Sequence, residues 1–95
     1  MSEVHAHTLG AALTNKGFQR IEAKHHTMFW LVSGGTRRAV RTRISHGQRK
    51  VDDWLLSEIA RELHLAKREL LRLIECEITG QDYAQLMIER GHLRS

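Results

Sequence analysis

Apolar residues recur along the chain at two spacings, and the switches between them mark the elements. About residues 3–15 carry Ala6, Leu9, Ala12 and Leu13 at helical spacing. Gly17 is placed to stop that helix, and Phe18 can fold back onto Leu13. From Phe18 the period falls to two, the alternation of a half-buried strand. Ile21 and Ala23 alternate with Arg20, Glu22 and Lys24; Thr27, Phe29 and Leu31 then alternate with His26, Met28, Trp30 and Val32. Ser33-Gly34-Gly35-Thr36 predicts a tight hairpin turn, because paired glycines tolerate the backbone angles that such turns demand. The returning strand sets Val40, Thr42 and Ile44 against Ala39, Arg41 and Arg43.

Beyond His46-Gly47-Gln48 the helical period returns. Asp52 or Asp53 can cap a helix running to about residue 64, with Trp54 near its start and Leu55, Ile59 and Leu63 on one face. A second helix is predicted from Lys67 to about Cys76, with Leu70, Leu71 and Ile74 as its apolar side. Thr79 opens a third that carries Tyr83, Leu86 and Met87 and stops at Gly91. The fold class is therefore α+β: an α-β-β-β-α core, a three-stranded antiparallel sheet with helices on one face, and an extra C-terminal helix or helices. No proline, repeat or low-complexity tract marks a linker, so residues 1–95 are expected to form one domain. Its core spans about residues 3–65 and its helical extension about residues 66–92.

Charge changes the picture more than composition does. Fifteen Lys and Arg oppose 11 Asp and Glu, giving a formal net charge of +4 with histidines neutral. That balance and a pI near 9.8 favour an anionic partner, nucleic acid ahead of an anionic membrane. Cys76 is the only cysteine, so no internal disulfide can form; its apolar neighbours predict burial, and a reducing compartment suits it. The first residues lack the basic region and apolar core of a signal peptide, and no apolar run reaches the roughly twenty residues of a membrane span. A cytoplasmic protein with no membrane partner is the expectation.

The alternation places Ile21, Ala23, Phe29, Leu31, Val40 and Ile44 on the face that helices cover. Lys24, His26, Met28, Trp30, Arg41 and Arg43 fall on the opposite face, and Arg37, Arg38, Arg49 and Lys50 extend it at the strand ends. From Arg37 to Lys50 there are six basic residues, and no acidic one appears before Asp52. Guanidinium forks match phosphate oxygens, and an aromatic ring beside them can stack on an unpaired base, so RNA is the partner this face suits. The alternative is a solvated strand face whose arginines keep sheet edges from pairing. Histidine could cleave RNA by helping the 2′-hydroxyl attack the adjacent phosphate, with a guanidinium stabilising the transition state. His26 has the surroundings for that role, His25 points to the other face, and His46 sits at the end of the sheet. The close pairs His5/His7 and His25/His26 have no cysteine or carboxylate at ligand spacing, so no metal site is predicted.

Several of these residues also form a pattern. Gly17-Phe18, His25-His26-Thr27-Met28-Phe29, the glycine-turn hairpin, Ile44-Ser45-His46-Gly47 and the helix with Leu55, Leu56 and Ile59 together resemble the HicA toxins. Those are small ribonucleases of toxin–antitoxin pairs with a fold like the double-stranded-RNA-binding domain. The resemblance covers about residues 8–65 and implies cleavage of mRNA without a metal or organic cofactor, together with a small antitoxin protein that blocks the basic face. It places the catalytic histidine at His26, with His25 as second choice. His25 and Lys24 stand where the family has serine and glycine, and the stretch from Lys67 onward is longer than a minimal member. Two further readings stay open: an RNA-binding module that does not cleave, and a protein-interaction domain using Trp30, Met28 and the C-terminal helices.

Overall fold

The structure, a computed structural model, describes residues 3–93. It is α+β. A two-residue strand β1 (Val4–His5) leads into α1 (Ala6–Asn15). Three strands follow, β2 (Phe18–Glu22), β3 (His26–Ser33) and β4 (Thr36–Ser45), forming an antiparallel sheet in the order β2-β3-β4. A second short strand, β5 (Lys50–Val51), pairs antiparallel with β1, and α2 (Asp53–Glu62), α3 (Lys67–Ile74) and α4 (Gly80–Glu89) complete the chain. The β1–β5 ladder is a departure from the expected helix start: Val4 pairs with Val51 and His5 with Lys50, so the chain enters α1 extended.

The β3–β4 hairpin turns at Gly34 and Gly35, with φ of 63° and 76°. Two successive positive φ values give a type I′ turn, whose twist matches that of the flanking strands. Three residues of β4, Arg38 to Val40, stand opposite Leu31 alone, so the ladder bulges between the Trp30–Arg41 and Val32–Arg37 pairs.

Register decides which side chains reach the helices. Phe18 pairs with Leu31, Arg20 with Phe29 and Glu22 with Thr27, so these share the helix-facing side with Val40, Thr42 and Ile44. Ile21 pairs with Met28, which in turn pairs with Arg43. Ile21 therefore lies on the open face, which corrects its expected place in the core. Ala23 and Lys24 fall in the turn between β2 and β3, closed by the Ala23 N–H donating to His26 O at 2.9 Å, so neither takes a place on the strand face.

Helices α1 and α2 pack on the inner face, and α3 packs against both of them. Buried apolar residues from Leu9 to Leu93 form one cluster, which includes Leu70 and Leu73 of α3 and Tyr83 and Met87 of α4. The C-terminal helices thus thicken the helix layer and leave the outer sheet face open. Tyr83 anchors them: its ring lies 5.5 Å from that of Phe18, and its hydroxyl donates to Leu63 O at 2.9 Å. Burial pushes the Tyr83 phenol up. Arg90, at the end of α4, donates through two nitrogens to Glu69 at 3.2 and 2.7 Å and to His64 O at 2.6 Å, tying the turn after α2 to the C-terminal helix. His64 also stacks on His92 with ring centroids 3.5 Å apart; desolvation, then the charge of His92, lowers its pKa.

Helix ends follow one rule with two unexpected residues. Asp52 accepts from the Leu55 N–H at 2.9 Å to start α2, and Thr79 accepts from the Asp82 N–H at 3.0 Å to start α4. At the C-terminal ends of α2, α3 and α4 the bonds Leu65 N–H to Ala60 O, Glu77 N–H to Arg72 O and His92 N–H to Met87 O, all 2.8 Å, close the same six-to-one loop. The residue in the left-handed conformation is Gly91 after α4 but His64 (φ 61°) after α2 and Cys76 (φ 64°) after α3. Cys76 is exposed, contrary to its expected burial, because this loop turns it out of the apolar face of α3. A side chain at positive φ costs about 1 kcal/mol that glycine avoids. Cys76→Gly is therefore expected to raise the thermal midpoint by about 4–8 °C, read by circular dichroism.

Candidate functional site

The open face of the main sheet collects side chains by cross-strand pairing. Gln19, Trp30 and Arg41 form one row, and Ile21, Met28 and Arg43 form the next. His26 pairs with Ser45 at the end of the ladder. Trp30 is half-buried between its neighbours while Arg41 and Arg43 are exposed. The Arg41 Cζ lies over the Trp30 ring, 5.0 Å from its centroid, a cation–π contact.

His26, Met28, Arg41 and Arg43 line a groove of about 530 Å³ together with Thr42 and the carboxylate residue Glu62. Glu62 is held there by the Thr42 hydroxyl, which donates to it at 2.7 Å. His26 therefore shares a groove with two guanidinium groups. Among the described residues no hydrogen bond orients its ring. Arg43 also lines a second groove, of about 390 Å³, whose other wall includes Trp54 and Glu58. Trp54, on the first turn of α2, is 71% exposed, the large apolar side chain that packing leaves most accessible.

The remaining basic residues scatter. Arg37 pairs with Val32 near the hairpin turn, and its Nε donates to Gln19 at 2.9 Å. Arg38 falls in the bulge, half-buried, with an Nε that has no hydrogen-bond partner. Arg49 and Lys50 belong to the β1–β5 end: Arg49 O accepts from the Ala6 N–H at 2.8 Å, and Lys50 Nζ lies 3.6 Å from Glu3. Lys24 and His25 are exposed in the β2–β3 turn. The basic face thus reduces to Arg41 and Arg43 with Arg37 at one end and His26 at the other.

A further polar cluster lies on the inner side of the same strand ends. Glu22 accepts from Arg20 Nε at 2.9 Å and from the Thr27 hydroxyl at 3.1 Å, and its Oε2 is 3.1 Å from His46 Nε2. The Arg20 guanidinium first, with Thr27 and His46 adding, holds the Glu22 carboxyl below its ordinary range. The cluster opens into a pocket of about 260 Å³ under the start of α1, where His7 and Gln48 also reach. Residues 22 and 46 are remote in sequence, and only the register of β2, β3 and β4 makes them neighbours.

Among the described residues no group of three or more His, Cys, Asp or Glu side chains is placed to hold a metal ion, and no helix is long and apolar enough to cross a membrane. No protein-family model, curated protein or solved structure matches the chain.

Proposed function

We propose that the protein binds single-stranded RNA on the open sheet face and cleaves it as a ribonuclease like the HicA toxins it resembles. His26 acts as general acid or base, and Arg41 and Arg43 hold the scissile phosphate. The observation that carries this reading is the groove in which His26, Arg41 and Arg43 meet beside Trp30. A guanidinium over an indole sets a cation beside an aromatic ring, the pair of groups that a phosphate and an unpaired base can use. The cleavage chemistry needs proton transfer and charge stabilisation on one phosphate, and imidazole and guanidinium supply these with no metal or organic cofactor. A small antitoxin protein covering the same face is the partner that the resemblance adds.

The binding half is tested by titrating a labelled single-stranded RNA at several salt concentrations. Replacing both Arg41 and Arg43 with alanine is expected to lower affinity by about 10- to 100-fold at low salt and to flatten the salt slope by about 1.4, the loss of two phosphate contacts. An unchanged slope places the RNA elsewhere. RNA binding without cleavage is a second reading, favoured by the lack, among the described residues, of any hydrogen bond that orients the His26 ring. In that case His26→Ala changes nothing that the arginine variants change.

A further inference from the structure

β4 is an edge strand, because the sheet runs β2-β3-β4 and ends there. The register tells which of its backbone groups face outward. One rung beyond the His26–Ser45 pair, the His46 N–H donates to His25 O at 3.0 Å, so that rung is a hydrogen-bonded one. Hydrogen-bonded and non-hydrogen-bonded pairs alternate along an antiparallel ladder. Ile44 and Thr42 therefore bond inward to Thr27 and Phe29, whereas Arg41, Arg43 and Ser45 turn their N–H and C=O groups out of the free edge. Ser45 O accepts from the Gln48 N–H at 3.0 Å; among the described residues no turn or loop backbone bond engages Arg41 or Arg43. Arg41 to Ser45 is the regular run between the bulge and the end of the strand.

A depression follows this edge. The two grooves that Arg43 lines share Glu62 as well, and together they pass along β4 from Ala39 to Ser45. Helix α2 forms the far wall, with Trp54, Leu55, Glu58 and Ile59 on the side turned to the strand. An extended peptide laid between an edge strand and a helix adds a strand through main-chain hydrogen bonds, and its alternate side chains meet the two faces. β4 carries four arginines and no carboxylate. On the open face the neighbours of an added strand are Arg41 and Arg43, which favour carboxylates opposite them. The β4 strand of a second copy would set arginine against arginine, so the edge is guarded against self-pairing. On the inner side Glu58 is paired with Arg61 and Glu62 is held by Thr42, which leaves half-buried Leu55 and exposed Trp54 for apolar side chains.

We infer that the free edge of β4 takes up an extended, acidic segment of a partner protein as a fourth, antiparallel strand. Its carboxylates lie over Arg41 and Arg43, and its apolar side chains pack against Leu55 and Trp54. The inference does not depend on the ribonuclease reading. Where that reading holds, the segment and RNA exclude each other, because both use Arg41 and Arg43.

The probe is a labelled peptide of about six residues that alternates glutamate and valine, titrated into the full chain at low salt by fluorescence anisotropy. In an antiparallel strand the residues paired with Arg41 and Arg43 point their N–H groups at β4, and these are the glutamates. N-methylation of the glutamate amides is therefore expected to weaken binding by about 10-fold or more, and N-methylation of the valine amides by less than about threefold. Trp54→Ala is expected to weaken the unmodified peptide by about 3- to 10-fold, with RNA affinity and thermal midpoint unchanged. Equal binding of all three peptides makes the contact one of charge alone and overturns the inference. An affinity unchanged by Trp54→Ala overturns the docking against α2. A native protein that takes up no peptide overturns the whole, and if it is dimeric the edge belongs to a second copy. None of these results touches RNA cleavage, which the action of the native chain on RNA decides by itself.

Discussion

His26→Ala is expected to lower the rate of RNA cleavage by about 10²- to 10⁴-fold, the usual contribution of a positioned acid or base, while RNA affinity changes by no more than a few-fold. The split follows from the groove. In the proposed reading the exposed Arg41 and Arg43 attract the RNA backbone, and both are untouched by the substitution. The ring of His26 is half-buried on the open face and makes no hydrogen bond among the described residues, so its removal disturbs little of the fold. The measurement is single-turnover cleavage of a labelled RNA beside a binding titration on the same variant. Equal losses in rate and affinity would make His26 a binding residue; an unchanged rate would remove it from the reaction.

Tyr83→Ala is expected to destabilise the protein by about 3–5 kcal/mol, a large share of the roughly 5–14 kcal/mol open to a chain of this length. Tyr83 is fully buried, packs its ring at a tilt against Phe18 at the start of β2, and donates its hydroxyl to Leu63 O at the end of α2. Truncation opens a cavity where the sheet, α2 and α4 meet and leaves a buried carbonyl without its donor. A thermal midpoint lower by about 15–30 °C is the expected reading, against a fall of several degrees for Tyr83→Phe, which loses only the hydroxyl. Should Tyr83→Ala melt like the native protein, α4 would be an appendage rather than part of the common core.

The parts of the fold legible in the sequence are those fixed by short-range chemistry. Gly34-Gly35 announces its turn because few other pairs adopt two positive φ values, and Asp52 and Thr79 announce helix starts because their oxygens satisfy backbone donors within three residues. Gly91 marks a helix end for the same reason that His64 and Cys76 do not: all three close the same loop, but only glycine advertises a left-handed residue. In β2 two alternations compete, Phe18-Arg20-Glu22 against Gln19-Ile21-Ala23. One isoleucine favours the second, whereas Phe18, buried with Leu31 and near Tyr83, fixes the first. A single-residue slip exchanges the faces of a strand, so that choice carried Ile21 to the wrong side.

The site divides along the same line. Trp30, Arg41, Arg43 and His26 could be placed on one face from the alternation of β3 and β4, since the hairpin sets their register. Lys24, Arg49 and Lys50 could not, because each lies in a turn or in the two-residue ladder, where alternation says nothing of direction. The contact of Glu22 with His46 left no local trace. It depends on the phase of β2, where the alternation misled, and on a turn at the end of β4.

The most direct test of the account is to incubate the native protein, in the presence of a chelator, with a labelled single-stranded RNA and with the same strand made 2′-deoxy throughout, measuring binding and chain breakage of each. The prediction is that the RNA is cut to fragments ending in a cyclic phosphate, while the 2′-deoxy strand stays whole. RNA that is demonstrably bound yet remains intact would contradict it.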